Sequence, residues 1–126
     1  MDFSLDRIRL TNQEKNYLTR MKGNTGIDNW NVLARWAFCY SISMKEKINI
    51  DSSTDKTSYG IEMSWMVFAG KNFKVYQDLL TQECKLLRIE PNKVNLNKVM
   101  RAHLSNGIRK LHGKVKSLDD FIKLAS

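Results

Sequence analysis

The stretch that decides the fold is Lys22-Gly23-Asn24-Thr25-Gly26-Ile27-Asp28-Asn29-Trp30-Asn31-Val32-Leu33-Ala34-Arg35-Trp36-Ala37-Phe38-Cys39-Tyr40. Two glycines, Gly23 and Gly26, supply left-handed backbone where a preceding helix ends. Asp28 or Asn29 then offers a side-chain oxygen to the open amides of the next helix. Trp30, Leu33, Ala34 and Ala37 share one face of that helix, and Val32, Trp36 and Tyr40 share a neighbouring one. A helix apolar nearly all round needs partners on both sides, so it is expected at the centre of a bundle or of an intertwined oligomer. Trp36, Phe38 and Cys39 are read as core packing, with Trp36→Ala expected to cost ~3–5 kcal/mol if fully buried. The single charge in the body of the helix is Arg35.

Upstream, Leu5-Asp6-Arg7-Ile8-Arg9-Leu10 alternates, with Ile8 and Leu10 on one side and Arg7 and Arg9 on the other, which is strand periodicity. One short strand is unstable alone and must pair, and its copy in another subunit is a candidate partner. Thr11-Asn12-Gln13-Glu14 fits a capping box opening a helix over about 12–22. Strand, helix, tight turn and helix is the order of a ribbon-helix-helix module, and equally of a helical hairpin with an extended arm.

Downstream, residues 45–59 are polar, irregular and rich in Ser, Thr and Asp, and read as a surface loop. Ile61, Met63 and Trp65 alternate, which allows a short extended piece to Met63, with Ser64 as a cap. Gly70 interrupts the helix that follows. Phe73, Tyr76, Leu79, Leu80, Cys84 and Leu87 make a helical apolar stripe that Pro91 terminates. A helix over about 95–111, capped by Asn95 or Asn97, buries Leu96, Val99, Met100, Leu104, Ile108 and Leu111. Lys98, Arg101, Ser105 and Arg109 form a basic stripe opposite. Ser117-Leu118-Asp119-Asp120 opens a short tail helix over 117–125, with acids in its first turn where the helix dipole favours them. The reading is a mainly α single domain over 1–126, with about five helices, a short N-terminal strand, a ribbon-helix-helix-like first half and an oligomeric state.

With 126 residues, 42% of them hydrophobic, the chain can bury a small core. The net charge of +8 favours polyanionic partners, although ordinary soluble domains reach such a balance too. Cys39 and Cys84 lie in separate expected helices without a CxxC spacing and read as free thiols in a reducing compartment. No basic-then-apolar leader opens the chain, and no apolar run approaches the ~20 residues of a membrane span, so a cytoplasmic protein without membrane contact is expected.

Catalytic chemistry has little to stand on. His103 and His112 lie on one helix with ~13 Å of rise between them and cannot share a metal within one chain. His103 reads as a satisfied polar residue at a helix contact, and Glu62 as half of a structural ion pair. Gly23-Asn24-Thr25-Gly26 lacks the spacing of a nucleotide phosphate loop. It does lead into a helix N-terminus between Lys22 and Arg35, which suits a DNA phosphate as well as a plain turn. No catalytic residue, cofactor or metal ligand is assigned. The basic groups Arg7, Arg9, Lys15, Arg20, Lys22, Arg35, Lys98, Arg101 and Arg109 are the candidate contacts to a phosphate backbone.

Four strings carry a resemblance to a known family. They are Arg7-Ile8-Arg9-Leu10; Leu18-x-x-x-Lys22-x-x-Thr25-Gly26-Ile27-x-Asn29-Trp30-Asn31-Val32-Leu33-x-Arg35-Trp36-Ala37-Phe38-Cys39; Glu62-Met63-x-Trp65-x-Val67-Phe68-x-Gly70; and Arg101-x-His103-Leu104-x-x-Gly107-Ile108. In order over roughly residues 6–111, the chain resembles the DndE family of bacterial DNA phosphorothioation. The loop 45–59 and the tail after 112 carry no match. The resemblance implies a non-catalytic partner in a complex that replaces a non-bridging phosphate oxygen of DNA by sulfur. It also implies a tetrameric homo-oligomer, binding of nicked double-stranded DNA, and ATPase and sulfur-transfer subunits as partners. A sequence-specific ribbon-helix-helix regulator and a purely structural adaptor are the alternatives. DNA contacts at Lys22, Arg35 and Arg101 are physical proposals and not inherited ones.

Overall fold

A capping box starts the first helix. The Glu14 amide donates to Thr11 Oγ1 at 3.1 Å, and the Thr11 amide donates to Glu14 Oε1 at 2.9 Å. The computed structural model describes residues 8–45, 48, 50 and 59–125, the side chains of 59–63, 121, 124 and 125 excepted. Arg7 and most of the polar loop 45–59 lie outside the described residues, as does the side chain of Glu62. Helix α1 spans Asn12–Thr25 and ends at Gly26, which adopts φ 78° and donates its amide to Lys22 O at 2.9 Å. That left-handed turn is open to glycine at no steric cost.

Helix α2 spans Trp30–Ser43. Asn29 is its N-cap by backbone alone, since its side chain makes no capping bond, contrary to the expected side-chain cap. Strand β1, Ile8–Thr11, pairs antiparallel with β2, Tyr59–Met63, in the register Ile8↔Met63, Arg9↔Glu62 and Leu10↔Ile61. The N-terminal strand thus finds a partner inside its own chain. Ile8 and Leu10 are buried and Arg9 is exposed, as the alternation predicts.

After β2, helix α3 covers Trp65–Ala69 with Ser64 as cap, and Gly70–Asn72 form a 3-10 turn into α4, Phe73–Leu86. Helix α5, Lys93–Lys114, is the longest of the described helices. It is capped by the Asn92 side chain, not by Asn95 or Asn97, and runs past Gly113. The tail helix α6 covers Leu118–Ala125. The architecture is mainly helical with a short N-terminal strand.

Helices α2 and α5 form the centre. They run antiparallel, with Ala37 against Gly107 and Ser41 against His103. A Cβ on Gly107 would lie 1.8 Å from Ala37 O, so the two backbones are in contact and only glycine fits. Leu33, Ala34, Ala37 and Phe38 are fully buried, and Phe38 meets Phe68 edge-on with centroids 5.8 Å apart. The other face of α2 departs from expectation, because Trp36 is 37% exposed and Cys39 is exposed as well. The core covers one side of this helix and leaves the other open. No described helix is long and apolar enough to cross a membrane.

Candidate nucleic-acid interface

Polar groups gather at two places on α5. The first is closed to solvent. Asn106 Nδ2 donates to Ser41 Oγ at 2.9 Å, Ser41 Oγ lies 2.8 Å from His103 Nδ1, and His103 Nε2 lies 3.1 Å from Glu83 Oε2. With Asn106 donating, the Ser41 hydroxyl hydrogen goes to Nδ1 and the imidazole carries its own hydrogen on Nε2, towards the carboxylate. Burial pulls the His103 pKa down, and Glu83 opposes that in part. Serine, histidine and acid in series have the composition of a hydrolytic triad. Here Ser41 has no exposed surface and His103 is 2% exposed, so no substrate reaches the hydroxyl. The cluster ties α2, α4 and α5 together, the role expected for His103.

Arg101 belongs to this structural set. Its Nη2 and Nη1 reach the two carboxylate oxygens of Glu14 at 2.8 and 3.3 Å. Glu14 is 4% exposed and also closes the capping box. The guanidinium joins the middle of α5 to the start of α1, which gives Arg101 a partner other than the DNA phosphate expected of it. Two-armed geometry of this kind is the strong form of the ion pair.

The second gathering is open. Tyr17 on α1 stacks on His112 of α5, with centroids 4.1 Å apart and planes 18° from parallel. Partial burial lowers the His112 pKa, and the positive charges of Lys116 and Arg20 lower it further. Arg109 is one helical turn from His112 and exposed. Asn24 Nδ2 donates to Val115 O at 3.4 Å, closing the junction between the ends of α1 and α5. Lys114 Nζ stands 5.7 Å over the Tyr40 ring. The one carboxylate placed by a described hydrogen bond at this junction is Asp120, which accepts from the Lys116 backbone amide at 3.0 Å.

Lys22 takes a separate position. Its Nζ sits 4.3 Å over the ring of Trp30, the first residue of α2. Because Asn29 caps only through its backbone, a cation and the open amides of the first turn stand side by side, the arrangement that favours an anion. Lys15 is exposed on α1. Lys98 is exposed too, but about 16 Å of helix rise separates it from Arg109. Arg9 stands on β1, and Arg35 lines a groove between α2 and α4. Among the described residues, the cations chosen from the sequence are thus spread over β1, α1, α2 and α5. Arg20 comes close enough to His112 to act on its charge, and Arg109 is exposed one turn from it on α5. The reading missed His112, Lys114 and Lys116, whose signal was the placement of basic residues in the last turn of α5 and just beyond it.

Residues 7–119 match the family model described as DNA sulphur modification protein DndE. A crystal structure of DndE from Escherichia coli B7A, involved in DNA phosphorothioation modification, superposes with a TM-score of 0.69 at 24% identity, covering 87% of this chain and 99% of that one. A double glycine-to-lysine mutant of DndE, involved in DNA phosphorothioation, gives a TM-score of 0.66 at 19% identity, covering 86% and 99%. No curated protein sequence matches. With the family model spanning nearly the whole chain, this protein belongs to the DndE family of DNA sulphur modification proteins.

Proposed function

We propose that the chain is a non-catalytic, cytoplasmic accessory subunit of DNA phosphorothioation that holds the phosphate backbone of double-stranded DNA as a homo-oligomer. The observation that carries this reading is the open junction of α1 and α5, where the charges of Arg20 and Lys116 act on His112 and Arg109 stands exposed one helical turn away. Cations crowded this way repel one another, and a phosphodiester relieves the repulsion. Contacts made to phosphates alone carry no sequence information, so affinity is expected to be independent of sequence. A net charge of +8 adds long-range attraction to the same ligand. The family context recommends nicked duplex as the preferred form, and the ATPase and sulfur-transfer subunits as protein partners.

Anisotropy titrations of labelled duplex, nicked and intact, over a salt series test this. The expected result is binding at low salt that falls linearly in log affinity against log salt, with tighter binding to the nicked form. Neutralised phosphates set the slope, at about 0.9 per contact on duplex DNA. Absence of binding to either duplex at low salt contradicts the proposal. Capture of the sulfur-transfer or ATPase subunits that survives nuclease, by a protein with no DNA affinity, would make the chain a structural adaptor instead.

A further inference from the structure

The two histidines of α5 differ in what their ring nitrogens meet. Both nitrogens of His103 are hydrogen-bonded. Neither nitrogen of His112 has a hydrogen-bond partner among the described residues, and neither is sealed from solvent. The ring is nevertheless held in place. Tyr17 stacks on it with centroids 4.1 Å apart, and Tyr17 itself packs against the core. Burial lowers the pKa of the imidazole and the charges of Lys116 and Arg20 lower it further, so the free protein carries the ring neutral at about pH 7. Arg20, Lys116 and Arg109 are exposed, and none of them forms an ion pair among the described residues. Asp120 accepts from the Lys116 amide and is not among the charges that act on the ring. A fixed imidazole with two unspent nitrogens therefore stands among cations, and no described carboxylate pairs with it.

An anion reverses the balance at this ring. A phosphate oxygen beside His112 and its cations favours the protonated form, because the imidazolium donates from either nitrogen and attracts the negative charge. We propose that His112 is a phosphate ligand of the duplex-binding site, engaged as the imidazolium, so that the chain takes up a proton when it binds DNA. The inference rests on the proposed function and adds to it a contact residue and a dependence on pH. Bound phosphate raises the pKa of the ring from its lowered value. Affinity therefore climbs as pH falls through the bound-state value, and it levels off below the free-state value, which lies under 6.5. One proton per chain limits the slope to about tenfold in affinity per pH unit. Arginine and lysine stay charged throughout this range and supply no such slope. His103 is buried and committed at both nitrogens, so it is not open to a phosphate.

Anisotropy titrations of labelled nicked duplex with the full chain, at constant low salt from about pH 8 to about pH 6, test the coupling. Wild-type affinity is expected to rise at least about threefold over that range. His112→Gln is expected to match the wild type at about pH 8 and to lose most of the rise. Circular dichroism at each pH checks the fold of both proteins. Calorimetric titration of the wild type in buffers of different ionisation enthalpy counts the proton directly and needs no variant. Net proton uptake on DNA binding is expected at about pH 7. A smaller rise in the wild type, a His112→Gln variant as steep as the wild type, or calorimetry without proton uptake overturns the role of His112 and leaves DNA binding intact. A wild type that binds no duplex at any pH overturns the proposed function and this inference together.

Discussion

His103 and His112 stand on one helix, and both have lowered pKa values, yet they do opposite things. His103 is closed in, hydrogen-bonded at both ring nitrogens, and shifted chiefly by burial. His112 is stacked on one tyrosine and stands among Arg20 and Lys116 at an open junction. Arg101 and Arg109 repeat the contrast, one committed to Glu14 with both arms and the other exposed. Along α5 the residue type says little, and the packing decides whether a polar group is tied into the fold or left at the surface.

The contrast is broken most severely at its packed end. Phe38→Ala is expected to cost about 3–5 kcal/mol, because the ring is fully buried against Phe68. Trp36→Ala should cost clearly less in the monomer, since that ring is 37% exposed. Equal losses in denaturant melts would place Trp36 in the core after all. Arg101→Ala should cost about 3 kcal/mol by leaving the Glu14 carboxylate buried without its partner, whereas Arg109→Ala should leave stability unchanged within about 0.5 kcal/mol. Gly107→Ala should cost about 3 kcal/mol, as a Cβ there would collide with Ala37 O and separate α2 from α5. An unchanged melting temperature for that variant would refute the backbone contact.

Acid sharpens the comparison. A histidine whose folded pKa is lowered contributes stability that is complete above its unfolded value near 6.5. That stability is lost as pH falls through this value, because the unfolded chain takes up the proton first. The melting temperature should therefore drop between about pH 7.5 and 5.5. His103→Gln should flatten much of that dependence, and His112→Gln less of it. A wild-type melting temperature that rises on acidification would contradict the neutral, buried imidazole.

Much of the fold is legible in the sequence. Thr11 and Glu14 spell the capping box, Gly26 the left-handed turn, and Pro91 the break between α4 and α5. Local chemistry sets each of these, so a window of a few residues suffices. The misread features depend on distant partners. Nothing local says that Arg101 meets Glu14, or that β1 pairs with β2 across the polar loop. Helix α2 is apolar nearly all round, so periodicity could not tell which face the core would leave open, and Trp36 and Cys39 fell on it. Gly107 looks like any helical glycine until α2 is laid against it. The candidate site was legible as an excess of cations and illegible as a place. Arg20 and Lys116 meet at His112 only because α1 and the end of α5 lie together.

The central claim is that the open junction, and not the basic residues at large, holds DNA. The most direct measurement is the salt dependence of duplex binding by Arg20→Ala, Lys116→Ala and Lys98→Ala beside the wild type. The account predicts that the first two each lower affinity and reduce the log–log salt slope by about one, while Lys98→Ala changes neither. Equal effects from all three, or none from Arg20 and Lys116, would contradict it.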